Sequence, residues 1–125
     1  MSTENEDVFM VYVTVPDIRT AKAIARTVVT ARLAACANLI PGVQSVYHWN
    51  GQLEESKEVA LILKTVRSRR TALEETIRAA HPYDCPCIVH WPLSGGHPPF
   101  LKWIRDESEP TKVGIPIGAT KRAPK

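Results

Sequence analysis

From Val8 to Val15 the chain reads Val-Phe-Met-Val-Tyr-Val-Thr-Val, almost without a polar position. A β-branched and aromatic run of this kind predicts a strand. Pro16 ends it. Asp17 offers a carboxylate to the unpaired N–H groups at the start of a helix. Ile24, Val28 and Ala31 recur at helical spacing and carry that helix to about Leu33. A second extended stretch runs from Cys36 to Trp49. Asn50-Gly51 suits a type I′ turn, which needs positive φ at both central positions. The return strand covers Gln52 to Val66. Ser68 is placed to cap a second helix that turns Leu73, Ile77 and Ala80 inward and stops at Pro82. A last strand is expected over Cys85 to Leu93. Gly95-Gly96 breaks the chain, and Pro98 and Pro99 suit the first turn of a short helix with Phe100, Leu101 and Ile104 as its apolar stripe.

The order β-α-β-β-α-β with a short C-terminal helix is the ferredoxin-like split βαβ pattern, an α+β fold. Right-handed crossovers leave one compact sheet, antiparallel, with strand order 4-1-3-2. The prolines agree. Strands 1 and 3, which would be central, contain none. Strand 2 holds Pro41, and strand 4 holds Pro86 and Pro92. Proline cannot donate to a ladder and belongs on edges or bulges.

The strand patterns also bear on assembly. Val8, Met10 and Tyr12 face one way, and Phe9, Val11, Val13 and Val15 the other. Val59, Leu61 and Leu63 likewise oppose Ala60 and Ile62. Both sheet faces are therefore apolar, and two helices cover only one. The hairpin arms, about 14 residues each, exceed the usual 5–6 and should project. An uncovered apolar face with projecting arms predicts a homo-oligomer. A monomer would need the polar C-terminal tail as its cover, and such a tail suits that role poorly.

The formal net charge of +3 is misleading. Lys112, Lys121, Arg122 and Lys125 follow Glu109 with no acid among them, which leaves 12 basic and 13 acidic residues elsewhere. The folded part is thus near neutral, and nucleic acid is not an expected partner. We expect a disordered N-terminus over 1–7, one domain over 8–109 and a basic tail over 110–125. No apolar run reaches the roughly 18–20 residues that span a bilayer. The polar, acidic Met1 to Asp7 does not read as a signal peptide. Three cysteines do not make a disulfide framework. A cytoplasmic protein without a membrane partner is expected.

Chemistry concentrates in His81-Pro82-Tyr83-Asp84-Cys85-Pro86-Cys87. Two cysteines two apart on a strand point to one face, roughly 6.5–7 Å apart, so a disulfide between them would be strained. Two thiolates and an imidazole suit Cu(I) or Zn(II). The plain alternative is that the cysteines pack as small hydrophobes and that His81 serves the last carbonyls of the second helix. Catalysis is not expected. A cysteine nucleophile needs an oriented base, and no oxyanion hole or phosphate-cradling glycine motif accompanies this one. Glu54-Glu55 and Glu74-Glu75 read as solvated faces.

Several segments together resemble the CutA family of divalent-cation tolerance proteins. They are Thr14-Val15-Pro16, Arg32-Leu33-Ala34-Ala35-Cys36-Ala37-Asn38, Tyr47-His48-Trp49-Asn50-Gly51, Lys64-Thr65, His81-Pro82-Tyr83 and Phe100-Leu101-Lys102-Trp103-Ile104. The resemblance implies a homotrimer of ferredoxin-like subunits, a part in metal tolerance, copper binding, and an architecture similar to that of the PII signalling proteins. It implies no catalytic activity. It makes His81 a metal ligand, with Cys87 where the family usually has glutamate; Cys85 is an extra thiol without a family counterpart, a candidate ligand by its own chemistry. Val13 stands where some bacterial relatives carry a cysteine. Copper or zinc is the expected ion, and no cofactor is obligatory. Tyr83, Asp84, Trp49 and Lys64 are the expected cleft residues, and Tyr47, Trp49 and Trp91 the expected trimer contacts. A PII-like scaffold that binds a small molecule or protein at inter-subunit clefts is the alternative function.

Overall fold

The computed structural model describes residues 6–110. The expected N-terminal and tail segments therefore fall, for residues 1–5 and 111–125, outside the described residues.

Strand β1 (Val8–Val15) is followed by α1 (Ile18–Thr30), β2 (Cys36–Trp49), β3 (Gln52–Val66), a 3-10 turn (Arg67–Arg69), α2 (Arg70–Ala80), β4 (Ile88–Pro92) and α3 (Pro98–Glu107). The four strands form one sheet in the order β2-β3-β1-β4, the expected order read from the other edge. All neighbouring pairs are antiparallel. Asn50 and Gly51 both hold positive φ, at 51° and 77°, so the hairpin turns where the sequence predicts. Pro41 and Pro92 lie on edge strands. The β2 ladder shifts register between Ile40 and Val43. There Pro41 has no N–H to donate, and Gly42 takes φ 84°.

Leu61, Leu63 and Val13 are fully buried on one face of the sheet, against Ala21, Ile24 and Val28 of α1 and Leu73 and Ile77 of α2. On the other face, α3 covers only one end. Its Ile104 packs with Val8, Val66 and Ala35, flanked by Phe100, Leu101 and Trp103. The rest of that face is a set of cross-strand rows. Asn38, Ile62, Tyr12 and Val89 make one row, and Cys36, Lys64, Met10 and Trp91 the next. Ile40, Val89 and Trp91 on it are 47%, 50% and 43% exposed. Beyond the Val15–Val59 pair, residues 43–49 and 52–58 continue as a two-stranded arm.

Local expectations failed in four places. The α1 helix stops at Thr30, not Leu33. Arg32 enters the left-handed region at φ 59°, and the Leu33 and Ala34 N–H groups both return to the Val28 carbonyl. Ser68 does not cap α2. Its N–H and hydroxyl bond the Glu6 carboxylate, and the helix grows from the 3-10 turn instead. Ala80 is exposed at the end of α2. Strand β4 begins at Ile88, so Cys85 and Cys87 lie outside it and strand alternation does not govern them.

Asp17 does cap α1, accepting the Thr20 N–H at 2.8 Å. That N–H, then the Thr20 side chain, holds the carboxyl below its ordinary 3.8. A lowered folded-state value means stability present in full above pH 3.8 and lost as pH falls below it through the lower folded-state value. Asp17→Ala is expected to lower the thermal midpoint at pH 7, and the gap from the parent should close under acid. A gap that is the same at pH 7 and pH 2 would remove the ionised cap from this picture.

Candidate functional site

The segment from His81 to Cys87 crosses from α2 to β4 beside the end of β1. The last β1–β4 pair is Val13–Ile88, and Thr14 lies one residue beyond it. The His81 Nε2 lies 2.7 Å from the Thr14 carbonyl oxygen. A carbonyl only accepts, so Nε2 carries the proton. Nδ1 then accepts the Tyr83 backbone N–H at 3.1 Å. The ring is 8% exposed and leans on Tyr83, with ring centroids 4.7 Å apart. Both ring nitrogens are engaged by the backbone, and His81 works as an internal brace.

Tyr83, placed by that brace, donates its hydroxyl to Glu58 Oε2 at 3.0 Å. Glu58 is buried, at 7% exposure. Burial, then the Glu58 hydrogen bond and charge, pushes the Tyr83 phenol up to about 12 from 10.0. A raised folded-state value favours the neutral phenol. The stability it contributes is complete below pH 10 and lost as pH rises towards 12. An alkaline absorbance titration should show one tyrosine ionising late, and Tyr83→Phe should remove that component alone. A late component that persists in the variant would assign the shift elsewhere.

These groups wall a cleft of about 730 Å³. Tyr12 and Thr14 form its floor, Ser45, Val46, Tyr47 and Trp49 its arm side, and Pro82, Tyr83, Asp84, Cys85 and Cys87 the opposite wall, with Glu58 between. Of the expected cleft residues, Tyr83, Asp84 and Trp49 line it within one subunit and Lys64 does not. It sits in register with Met10 and Cys36, and its ammonium donates to Asn38 Oδ1. Trp91 stands on the open face at 43% exposure, in register with Met10. Cys85 and Cys87 are exposed free thiols, and Cys36 is a half-buried one.

The expected ligand set of His81, Cys85 and Cys87 is not brought together. Among the described residues, no three or more His, Cys, Asp or Glu side chains cluster in a way that could hold a metal ion. The reason is local. His81 has no free ring nitrogen, and the thiols ride on a bend outside β4. An enclosed metal centre within one subunit does not fit these residues. Sequence reasoning passed over Glu58 and Tyr12. A signal for Glu58 was present, because period-two counting from Ala60 and Ile62 sets it on the apolar face.

A family model described as CutA1 divalent ion tolerance protein matches residues 9–107. A CutA homolog of Xenopus laevis is 47% identical over 95 residues, 76% of this chain and 63% of its own length. This chain thus spans less than two thirds of that relative. The divalent-cation tolerance protein CutA of Thermus thermophilus is 39% identical over 79% of this chain and 96% of its own. The crystal structure of CutA from Xylella fastidiosa superposes with a TM-score of 0.81 at 37% identity, covering 82% of this chain and 99% of its own.

Proposed function

Because this chain belongs to the CutA1 divalent ion tolerance family, we propose that it works as a non-enzymatic homotrimer in the response to metal ions. A soft ion such as copper, or zinc, would be taken by the thiolates of Cys85 and Cys87, without His81. The carrying observation is that these two free, exposed thiols share the wall of one cleft. Trimer closure would bury the open face around Ile62, Tyr12 and Val89, with Tyr47, Trp49 and Trp91 at the contacts. Three free thiols also favour a reducing compartment, which supports a cytoplasmic location. Among the described residues no helix is long and apolar enough to cross a membrane. Nucleic acid and membrane remain outside the proposed partners.

The test is an anaerobic competition titration with Cu(I) and Zn(II) on the parent protein and on a Cys85→Ser/Cys87→Ser variant. Metal affinity should fall at least about tenfold in the variant, and fall with acidification in the parent, because thiols must lose protons to bind. Unchanged affinity in the double variant would end the thiol role. A PII-like scaffold is the second reading. It is favoured by the cleft itself, whose 730 Å³ is of small-molecule size.

A further inference from the structure

We propose that the helical layer of each subunit docks a short acidic segment of another protein, with Arg19, Lys22 and Arg26 of α1 at the centre of the contact. The thiols of the metal reading take no part in it.

The layer faces solvent in a single subunit and in an assembly alike. α1 and α2 pack on the sheet face that carries Val13, Leu61 and Leu63. The apolar face that calls for closure, with Tyr12, Ile62 and Val89, is the opposite one. A second copy seated on that face leaves the backs of α1 and α2 outside.

Charge is segregated onto these backs. α1, the 3-10 turn and α2 carry seven Arg and Lys side chains against two acids, Glu74 and Glu75. The other described residues reverse the balance, with five basic and ten acidic side chains. Some of the basic excess has structural work. Arg67 pairs with Asp7, Arg69 closes over the Ala31 and Arg32 carbonyls, and Arg70 lies over the Phe9 ring. Arg19, Lys22 and Arg26 have no such work. All three are exposed, and among the described residues none makes an ion pair. Only the Asp17 cap feels the charge of Arg19.

Their placement opposes the helix that carries them. Lys22 is three residues from Arg19 and four from Arg26, so like charges stack along one face. Arg19 and Lys22 also set positive charge in the N-terminal half of α1, where the helix dipole favours negative charge. Glutamine there would serve the helix as well without the repulsion. What the stripe answers is therefore outside the chain.

Its dimensions and surroundings select the partner. From Arg19 to Arg26 the stripe is about 10 Å long at about 1.5 Å per residue. That is close to the span of two or three carboxylates at alternate positions of an extended segment. Guanidinium groups meet carboxylates with two parallel hydrogen bonds. Nucleic acid fits less well, because α1, the 3-10 turn and α2 hold no aromatic ring on which a base could stack. Glu74 and Glu75 would also repel a longer polyanion. A bilayer lacks its anchors, since Ile18, at 41% exposure, is the only large exposed aliphatic on the described helical layer.

The experiment titrates the full-length assembled protein at low salt with an end-blocked peptide of six glutamates. A six-lysine peptide, a single-stranded thymidine oligonucleotide and phosphatidylglycerol vesicles are run in parallel. Saturable binding is expected for the glutamate peptide alone, and it should weaken as salt rises. An Arg19→Gln/Lys22→Gln/Arg26→Gln variant should bind the peptide at least about tenfold more weakly. It should keep the light-scattering mass of the parent and melt no earlier, because the like-charge repulsion is gone. Lys57→Gln, on the arm, should bind as the parent does. No binding of the glutamate peptide overturns the proposal, as does tighter binding of the oligonucleotide or the vesicles. An equal loss in Lys57→Gln also overturns it, by making the attraction a matter of overall charge. A changed mass in the triple variant would put the stripe at a subunit contact and overturn it too. Should that variant melt early, backbone amide shifts in the parent decide. Shifts along α1 from Arg19 to Arg26 support the proposal, and shifts elsewhere or none overturn it. Metal affinity should be the same in the triple variant, so this inference and the metal reading fail independently.

Discussion

An Ile62→Glu variant is expected to run as a single subunit, with a light-scattering mass one third that of the parent protein. Ile62 lies mid-sheet on the face away from α1 and α2, in register with Asn38 on one side and Tyr12 on the other. In one chain it is only half-buried, so the substitution leaves the core of Leu61, Leu63, Leu73 and Ile77 intact. The proposed trimer is where it matters. A carboxylate trapped at a closed apolar contact without a partner costs several kcal/mol. Threefold symmetry repeats that cost in every subunit. Circular dichroism should show an unchanged helix and strand content beside the lost mass. A variant that stays trimeric with an unshifted midpoint would place the subunit contact elsewhere. A parent protein that is monomeric at micromolar concentration would remove the assembly altogether.

The sheet was legible because its signals are local and redundant. The bounds of β1, β2 and β3 match those read from the sequence. Pro16 and Asn50-Gly51 punctuate runs whose side chains alternate between faces. The edge positions of β2 and β4 followed from the element order and right-handed crossovers; Pro41 and Pro92 agree through a missing N–H, independent of hydropathy, whereas Pro86 falls before β4. Errors arose where distant residues decide the outcome. Ser68 is a good cap by type, but Glu6, 62 residues away, takes its N–H and hydroxyl. Leu33 continues the apolar spacing of α1, yet the chain has already turned back through Arg32. Its carbonyl bonds the buried Thr65 hydroxyl, and the Arg69 guanidinium closes over the Ala31 and Arg32 carbonyls.

The candidate site was half legible. The heptad from His81 to Cys87 announced itself by composition, and Tyr83, Asp84, Cys85 and Cys87 do share one cleft with Trp49. Its chemistry was not announced. Expecting Cys85 and Cys87 to point together assumed a strand that starts at Cys85, whereas Pro86 and the bend before it delay β4 to Ile88. Lys64 shares the open face with Tyr12 but lies one cross-strand row further from the arm, with its ammonium on Asn38. Glu58 was hidden among Glu54, Glu55 and Lys57, which read as a solvated strand until Tyr83 is seen to close over it.

His81→Ala is expected to lose about 3 kcal/mol of stability, while a folded fraction keeps its affinity for soft metal. The ring is buried and satisfies two backbone groups that belong to different elements, the Thr14 carbonyl at the end of β1 and the Tyr83 N–H in the bend. Leaving a buried donor or acceptor unpaired costs about 1–3 kcal/mol apiece. The vacated ring volume adds to that, and water entering the gap offsets part of it. The loop from Pro82 to Cys87 should loosen as a unit, since Tyr83 loses its amide partner and its ring contact together. Urea unfolding gives the energy. Hydrogen exchange at the Tyr83 amide gives the mechanism, moving from protected to fast in the variant. Thiol alkylation at Cys85 and Cys87 should accelerate in step, because the same bend carries both. A ligand role predicts the opposite pairing, with stability almost unchanged and metal affinity collapsed. That result would require the imidazole to leave Thr14 in the metal-bound protein. It would also make the brace a switch, with one nitrogen released by the carbonyl whenever the ion arrives.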